Sequence, residues 1–272
     1  MHDRSLKVRK AIFLDIDGTL IDCMGDIKDI TSNVKKAIKK VQEKGDYVFV
    51  APGRPYALLD KNILDFGFDG FILANGAHEI INNETIYSEP IEKEFIKNIV
   101  TQLENNNIQY ILQGEIYSYM KESCKDFYKY YDEIGVNRTY FKDEFNIEEI
   151  DVHKFEMLCP NDEIKELCLS LIKTNPECDY FSSVNKSAVE VYLKKNTKGS
   201  AILKAIDFLD IKIENTYAFG DGKNDIEMLL TVGCGIAMGN ANDEVKNHSN
   251  KITDTVQNDG VAKGIEQYVY ID

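Results

Sequence analysis

The chain has 272 residues, 43% of them hydrophobic and 29% charged, with a formal net charge of −14. This length supplies one large domain or two ordinary ones with ample buried core. The acidic balance argues against nucleic acid or an anionic membrane as partner, because both require clustered Lys and Arg, and no apolar stretch approaches the roughly 18 residues of a membrane span.

The start, Met1-His2-Asp3-Arg4, precedes no signal-peptide core, so a cytoplasmic protein is expected. Cys23, Cys124, Cys159, Cys168, Cys178 and Cys234 are scattered without a Cys-x-x-Cys pair. They read as reduced thiols, most of them packed, and suggest neither a disulfide framework nor a zinc site.

Ala11-Ile12-Phe13-Leu14-Asp15-Ile16-Asp17-Gly18-Thr19-Leu20 is an apolar run that exits through two carboxylates, a glycine and a hydroxyl. The run reads as a buried strand, and acidic groups at its exit need a reason to be held there. Side chains two apart start on one face, and Gly18 lets the backbone turn away behind them. Two such carboxylates repel unless a cation or shared proton relieves them, and a hard divalent ion such as Mg2+ does so. A calcium loop is the rival reading. It would need glycine at the sixth position and glutamate at the twelfth, where this chain has Gly18 fourth and Asp26 twelfth.

Thr31 and its neighbours can cap a helix with Val34, Ala37, Ile38 and Val41 on one face, ending near Gly45. A strand over Asp46 to Ala51 stops at Pro52-Gly53-Arg54-Pro55. A helix from Tyr56 to Leu64 and a strand Phe71 to Ala74 follow, the latter entering Asn75-Gly76-Ala77. This alternation predicts a parallel sheet with helices on both faces, with ligands gathering at the carboxyl ends of the strands, where Asp15, Gly53 and Asn75 sit.

From Glu79 the pattern changes. Ile80 to Tyr87 reads as a hairpin, and Ser88-Glu89-Pro90 as a boundary. Helices over 92–105 and 161–173 alternate with short strands at Gln109 to Leu112 and Ala188 to Val191, enough for a separate domain. Phe127, Tyr128, Tyr130, Tyr131, Tyr140 and Phe141 form an aromatic-rich region that reads first as core. The wound pattern resumes where Thr197 can cap a helix carrying Ala201, Ile202, Leu203, Ala205, Ile206 and Leu209. Strand Thr216 to Phe219 then enters Gly220-Asp221-Gly222-Lys223-Asn224-Asp225, followed by a helix from Ile226 to Leu230, strand Gly235 to Met238, a short strand at Ile252-Thr253 and a closing helix from Gly260 to Tyr268. The fold class expected is α/β: a doubly wound, mainly parallel, Rossmann-like sheet formed by 1–87 and 192–272, with an inserted α+β domain over 88–191.

Asp-x-Asp-Gly-Thr after an apolar strand resembles the first motif of the haloacid dehalogenase-like hydrolases, and residues 8 to 80 and 186 to 268 resemble their Cof-type small-molecule phosphatases. The resemblance implies a Mg2+-dependent phosphatase acting on small phosphorylated metabolites, sugar phosphates first, through an aspartyl-phosphate, in a monomer or small homo-oligomer. Asp15 would be nucleophile and Asp17 the acid and then the base. Asp15, Asp221 and the backbone carbonyl of Asp17 would hold Mg2+. Ile16, Gly53, Lys198 and Asn224 would bind phosphate, with Arg54, Asn75 and Asp225 in support, and the insert would be a substrate-selecting cap. Taken alone, the Gly220 to Asp225 segment is an ordinary polar turn and Lys198 a solvated lysine; the pairing with Asp15-x-Asp17 reverses the balance for the turn, and the family position, Lys-Gly before the Gly-Asp motif, reverses it for Lys198.

One position departs from the resemblance. Where the second motif usually places Thr or Ser before Gly-Arg, this chain has Pro52, which offers neither hydroxyl nor N–H. Loss of one such donor costs about 100- to 1000-fold in rate. A weakened enzyme is therefore expected, and two alternatives stay open: a phosphate-ligand binding protein with residual catalysis, and a phosphomutase.

Overall fold

The computed structural model describes residues 8–22, 25, 27–183 and 187–270. Met1 to Arg4, Cys23 and Asp26 lie outside the described residues. The chain divides into two compact units, one within 1–53, 62–86 and 197–272, the other comprising 54–61 and 87–196.

The first unit opens with strand β1 (Ala11–Leu14), every residue of which is buried. Helix α1 (Ser32–Glu43) follows, capped by Thr31, with Val34, Ala37, Ile38 and Val41 buried as their spacing predicts. Strand β2 (Tyr47–Val50) leads toward the first disagreement. No continuous helix spans Tyr56 to Leu64: Tyr56–Leu58 forms a single 3-10 turn, Leu59 is extended, and helix α2 is confined to Lys61–Leu64. The interruption has a packing cause, since Leu58 is buried among Ile111, Met120, Phe127 and Tyr131 of the second unit, which takes residues 54–61 from the first. Strand β3 (Gly70–Leu73) precedes a hairpin of β4 (His78–Ile81) and β5 (Glu84–Ser88), whose turn residues Asn82 and Asn83 are both left-handed.

The second unit contains α3 (Lys93–Asn105), β6 (Tyr110–Gln113), β7 (Ser118–Tyr119), α4 (Lys125–Glu133), β8 (Phe141–Lys142), β9 (Lys154–Leu158), α5 (Asp162–Ile172), β10 (Cys178–Ser183) and β11 (Ala188–Leu193). Its sheet runs β10-β11-β9-β6-β7-β8, antiparallel except for β7 beside β8. Phe95, Ile99 and Leu103 of α3 pack with Cys168 and Ile172 of α5 against Leu112, Phe155, Met157, Val189 and Val191. The aromatic-rich region forms a separate core: Phe127 and Tyr131 of α4 are buried with Ile111 and Ala188, and Phe141 packs against them. Strand β11 continues past 191 to Leu193, so the second unit ends later than the expected 88–191 insert.

The first unit then resumes with α6 (Lys198–Phe208), β12 (Thr216–Gly220), α7 (Ile226–Thr231), β13 (Cys234–Ala237), α8 (Asp243–Asn247), β14 (Lys251–Ile252) and α9 (Gly260–Gly264), which runs into one π-helical turn at Ile265–Val269. A reciprocal cap between Thr197 and Ser200 fixes the start of α6. Leu203, placed by sequence with the inward residues, points outward and is 48% exposed. The eight-stranded sheet reads β14-β13-β12-β1-β2-β3-β4-β5, parallel from β14 through β3 and closed by the antiparallel hairpin. First and last thirds thus share one sheet, and β1 lies between β12 and β2, with the exits of all three strands side by side. The described cysteines are free thiols, four of them buried. No helix among the described residues is long and apolar enough to cross a membrane.

Candidate active site

The site forms where β1 and β12 end. Parallel pairing runs from Ala11 beside Thr216 to Leu14 beside Phe219, and the Asp15 amide extends it by donating to Phe219 O at 3.0 Å. Acidic residues that follow these two strands in sequence are therefore delivered to one place. Asp15 is 7% exposed, whereas Asp17, two residues on, is exposed. Between them, Ile16 O accepts the amides of Thr19, Leu20 and Ile21, which folds the chain into a tight turn. Gly18 has φ +85, and a Cβ there would lie 2.1 Å from Asp221 Oδ2, so only glycine lets the β12 loop close over the β1 loop.

Lys198, first residue of α6, is 1% exposed. Its Nζ donates to Asp15 Oδ1 at 2.5 Å and to Asp225 Oδ1 at 2.6 Å. Asp225 Oδ2 in turn accepts the Asp221 and Gly222 amides at 3.0 and 2.9 Å. Asp225 thereby works as a brace, fixing both the lysine and the loop that carries Asp221. Asp221 accepts from Thr19 Oγ1 at 3.3 Å and from Asn240 Nδ2 at 3.4 Å. Asn240 also donates to Gly18 O at 2.8 Å and accepts the Val256 amide at 2.9 Å, which ties three loops together.

Carboxylate oxygens of Asp15, Asp221 and Asp225 lie within 4.8 Å of one another. Burial first, then the charge of Asp225, pushes Asp15 up to about 7 despite Lys198, and the same two causes raise Asp221 to about 6. Burial pulls the Lys198 ammonium down, but Asp15 and Asp225 outweigh it, and its pKa is raised. Three carboxylates against one ammonium leave two negative charges, and Asp17 adds to the repulsion felt by Asp15 and Asp221. A divalent, oxygen-seeking cation fits that deficit. Asp15 and Asp221 are the side chains suited to hold it, since Asp225 is spent on the Lys198 ammonium and two loop amides, whereas Asp221 meets only two neutral donors at 3.3 and 3.4 Å.

Of the other residues expected at the site, Gly53 lies at the exit of β2 with Asn75 and Asn224 about it: a Cβ on Gly53 would meet Asn75 Oδ1 at 3.0 Å and Asn224 Nδ2 at 3.6 Å. Pro52 is buried and its carbonyl accepts the Asn75 amide at 3.4 Å. Arg54 begins the second unit, where its Nη1 donates to Leu58 O at 3.3 Å. Sequence reasoning missed Thr19 and Asn240. Asn240 follows Gly239 just beyond β13, so the strand-end rule that found Asp15 would have found it too.

The family model described as haloacid dehalogenase-like hydrolase matches residues 12–265. YkrA of Bacillus subtilis (strain 168), a protein provisionally named a phosphatase, is 30% identical over 260 residues, covering 95% of this chain and 97% of its own. The 5-amino-6-(5-phospho-D-ribitylamino)uracil phosphatase YcsE of the same organism is 30% identical over 263 residues, with 96% of each chain covered. Among solved structures, the subclass IIB sugar phosphatase BT4131 superposes with a TM-score of 0.75 at 30% identity, over 95% of this chain and 98% of that one. These names favour neither the binding-protein nor the phosphomutase alternative.

Proposed function

Because this chain belongs to the haloacid dehalogenase-like hydrolases and is a phosphatase, we propose that it hydrolyses small phosphorylated metabolites in the cytoplasm through an aspartyl-phosphate on Asp15. The observation that carries this reading is the buried Lys198 ammonium shared between Asp15 and Asp225, with Asp221 beside them. A lysine this deeply buried has no solvation role, and its place against Asp15 suits neutralising an arriving phosphoryl group.

Asp15 attacks phosphorus in line, and the phosphorus–oxygen bond to the metabolite breaks as the Asp15–phosphorus bond forms. Asp17, exposed where Asp15 is buried, donates the proton to the leaving alcohol and then takes one from the water that hydrolyses the acyl phosphate. Lys198, Asn224 and the amides of Ile16 and Gly53 bind phosphoryl oxygens. Asp15, Asp221 and the Asp17 carbonyl would hold Mg2+, which would supply charge neutralisation at the phosphoryl group. Asp225 braces the site, and the second unit, 54–61 with 87–196, selects the substrate. The sugar phosphatase neighbour and the ribitylamino-uracil phosphatase relative both favour a phosphorylated polyol or sugar as substrate class.

A panel of sugar phosphates, polyol phosphates and nucleotides assayed for phosphate release with and without Mg2+ tests the reading. Metal-dependent turnover of the polyol class is expected, with Asp221→Asn raising the Mg2+ concentration needed. An unchanged Mg2+ titration in Asp221→Asn would remove that residue from the ligand set, and metal-independent release would overturn the mechanism.

A further inference from the structure

Pro52 takes both a hydroxyl and an N–H out of the turn after β2, at the place where the family resemblance expects a phosphoryl donor. What the fold brings to that turn instead is a carboxamide. Beyond its own chain neighbours, the atoms nearest the point where a Gly53 Cβ would sit are Asn75 Oδ1 at 3.0 Å, Asn224 Nδ2 at 3.6 Å and Asn75 Cγ at 3.7 Å. Asn75 Oδ1 is buried and has no hydrogen-bond partner. The residue is held in place by backbone that side chains rarely adopt, with φ +57 at Asn75 and φ +49 at the preceding Ala74, while its amide reaches back to Pro52 O. A buried amide end without a partner and two consecutive left-handed residues are both costly, and such costs persist where a position serves a ligand.

The geometry points to Asn75 as the phosphoryl-oxygen donor that stands in for the hydroxyl absent at position 52. The two ends of a carboxamide are alike in size, so a half-turn about χ2 puts Nδ2 where Oδ1 lies, and a phosphoryl oxygen then supplies the acceptor the protein lacks. Asn75 and Asn224 thus flank the Gly53 amide as a pair of carboxamide donors. This assignment rests on the phosphatase reading of Asp15 and Lys198. It also removes the expected handicap of Pro52: the donor has moved from the β2 loop to the β3 loop.

Asn75→Gly is the informative variant, because glycine accepts the left-handed backbone and only the carboxamide is lost. Its kcat should fall about 100-fold, with Asn75→Asp, which has the same shape and no donor, falling at least as far. Orthovanadate binding in Mg2+, followed by calorimetry, should weaken about tenfold or more in Asn75→Gly, a readout independent of turnover. Pro52→Thr should change the wild type by less than about threefold yet restore about tenfold or more in the Asn75→Gly background, because a second donor matters only where the first is missing. Unchanged kcat and vanadate affinity in Asn75→Gly, or a loss that Pro52→Thr does not restore, overturns the assignment. Phosphate release persisting in Asp15→Asn instead overturns the underlying phosphatase mechanism and leaves the vanadate result to decide Asn75 by itself. Failure of the wild type to bind orthovanadate overturns both.

Discussion

The two units bury charge in different ways. In the first, charges sit at strand exits and at a helix start, converge on a point, and stay out of balance: Lys198 answers Asp15 and Asp225, and Asp221 remains. In the second, charges lie along the middle of a sheet and take their partners from neighbouring elements. Register sets Glu190 and Ile111 beside Glu156, and Tyr192 and Gln113 beside Lys154, so that Lys154, Glu156, Glu190 and Gln113 share one face. Glu156 Oε1 accepts from Gln113 Nε2 at 2.9 Å and from Tyr131 OH at 3.4 Å, and Lys154 pairs with Glu190. The contrast teaches that buried charge marks chemistry where it is convergent and uncompensated, and architecture or recognition where it is paired along an element.

The sharpest way to break this comparison is Asp15→Asn, which keeps shape and burial but removes the nucleophile. Turnover should fall more than about 100-fold, since losing a nucleophile generally costs far more than losing a supporting contact. Circular dichroism should be unchanged. Phosphate release above about a hundredth of wild type would mean that the uncompensated cluster is not the reacting one.

Lys198→Met comes next. It leaves Asp15 and Asp225 buried without their shared cation, and stripping one partner from a buried ion pair costs about 3–5 kcal/mol. Urea unfolding in the absence of divalent ions measures this, and added Mg2+ should recover part of it by supplying positive charge to the same carboxylates. A loss under about 1 kcal/mol would place Lys198 among ordinary surface lysines.

Legibility from sequence follows the same division. Asp15, Asp17 and Asp221 stand out because carboxylates interrupt apolar strands at their ends, whereas Lys198 is found only through the family position, Lys-Gly before the Gly-Asp motif. The wound sheet was equally readable from alternating strands and amphipathic helices. By contrast, Lys154-Phe155-Glu156-Met157 alternates with period two, the pattern of any half-exposed strand, so nothing local reveals that both polar residues are buried. The helix expected over Tyr56 to Leu64 failed for a tertiary reason, because Leu58 is claimed by the aromatic core of a unit whose sequence lies elsewhere. Asn240 was missed for want of charge: its work is done by an uncharged amide linking Gly18, Asp221 and Val256.

Glu79 tests the first unit away from its site. It is fully buried on β4, neither carboxylate oxygen has a hydrogen-bond partner, and Lys204 Nζ is 3.8 Å from Oε1. Burial pushes its pKa up to about 8 against the pull of Lys204. With a folded pKa above the unfolded value, the stability tied to the neutral carboxyl is present below about 4.5 and lost as pH rises through about 8. Glu79→Gln cannot ionise, so its advantage over wild type should vanish below about pH 4 and grow to about 4 kcal/mol by pH 8. Parallel pH profiles of melting temperature would show that Glu79 does not titrate in this range.

The smallest effect is expected from the paired charges of the second unit. Lys154 and Glu190 pair diagonally across adjacent strands with side chains 6% and 17% exposed. Replacing both, as Lys154→Met with Glu190→Leu, removes the attraction and the desolvation cost together, and such swaps are neutral or stabilising by about 1–4 kcal/mol. Either single replacement strands one charge and should be the worse variant, so the signature is a double mutant more stable than each single. That non-additivity is absent from the first unit, where Lys198 answers two carboxylates and no one-for-one exchange neutralises the group. Melting temperatures of the three variants decide it. A double mutant as damaged as Lys198→Met would show that the second unit's charges are as constrained as the first's, and that the sheet face they occupy serves more than its own stability.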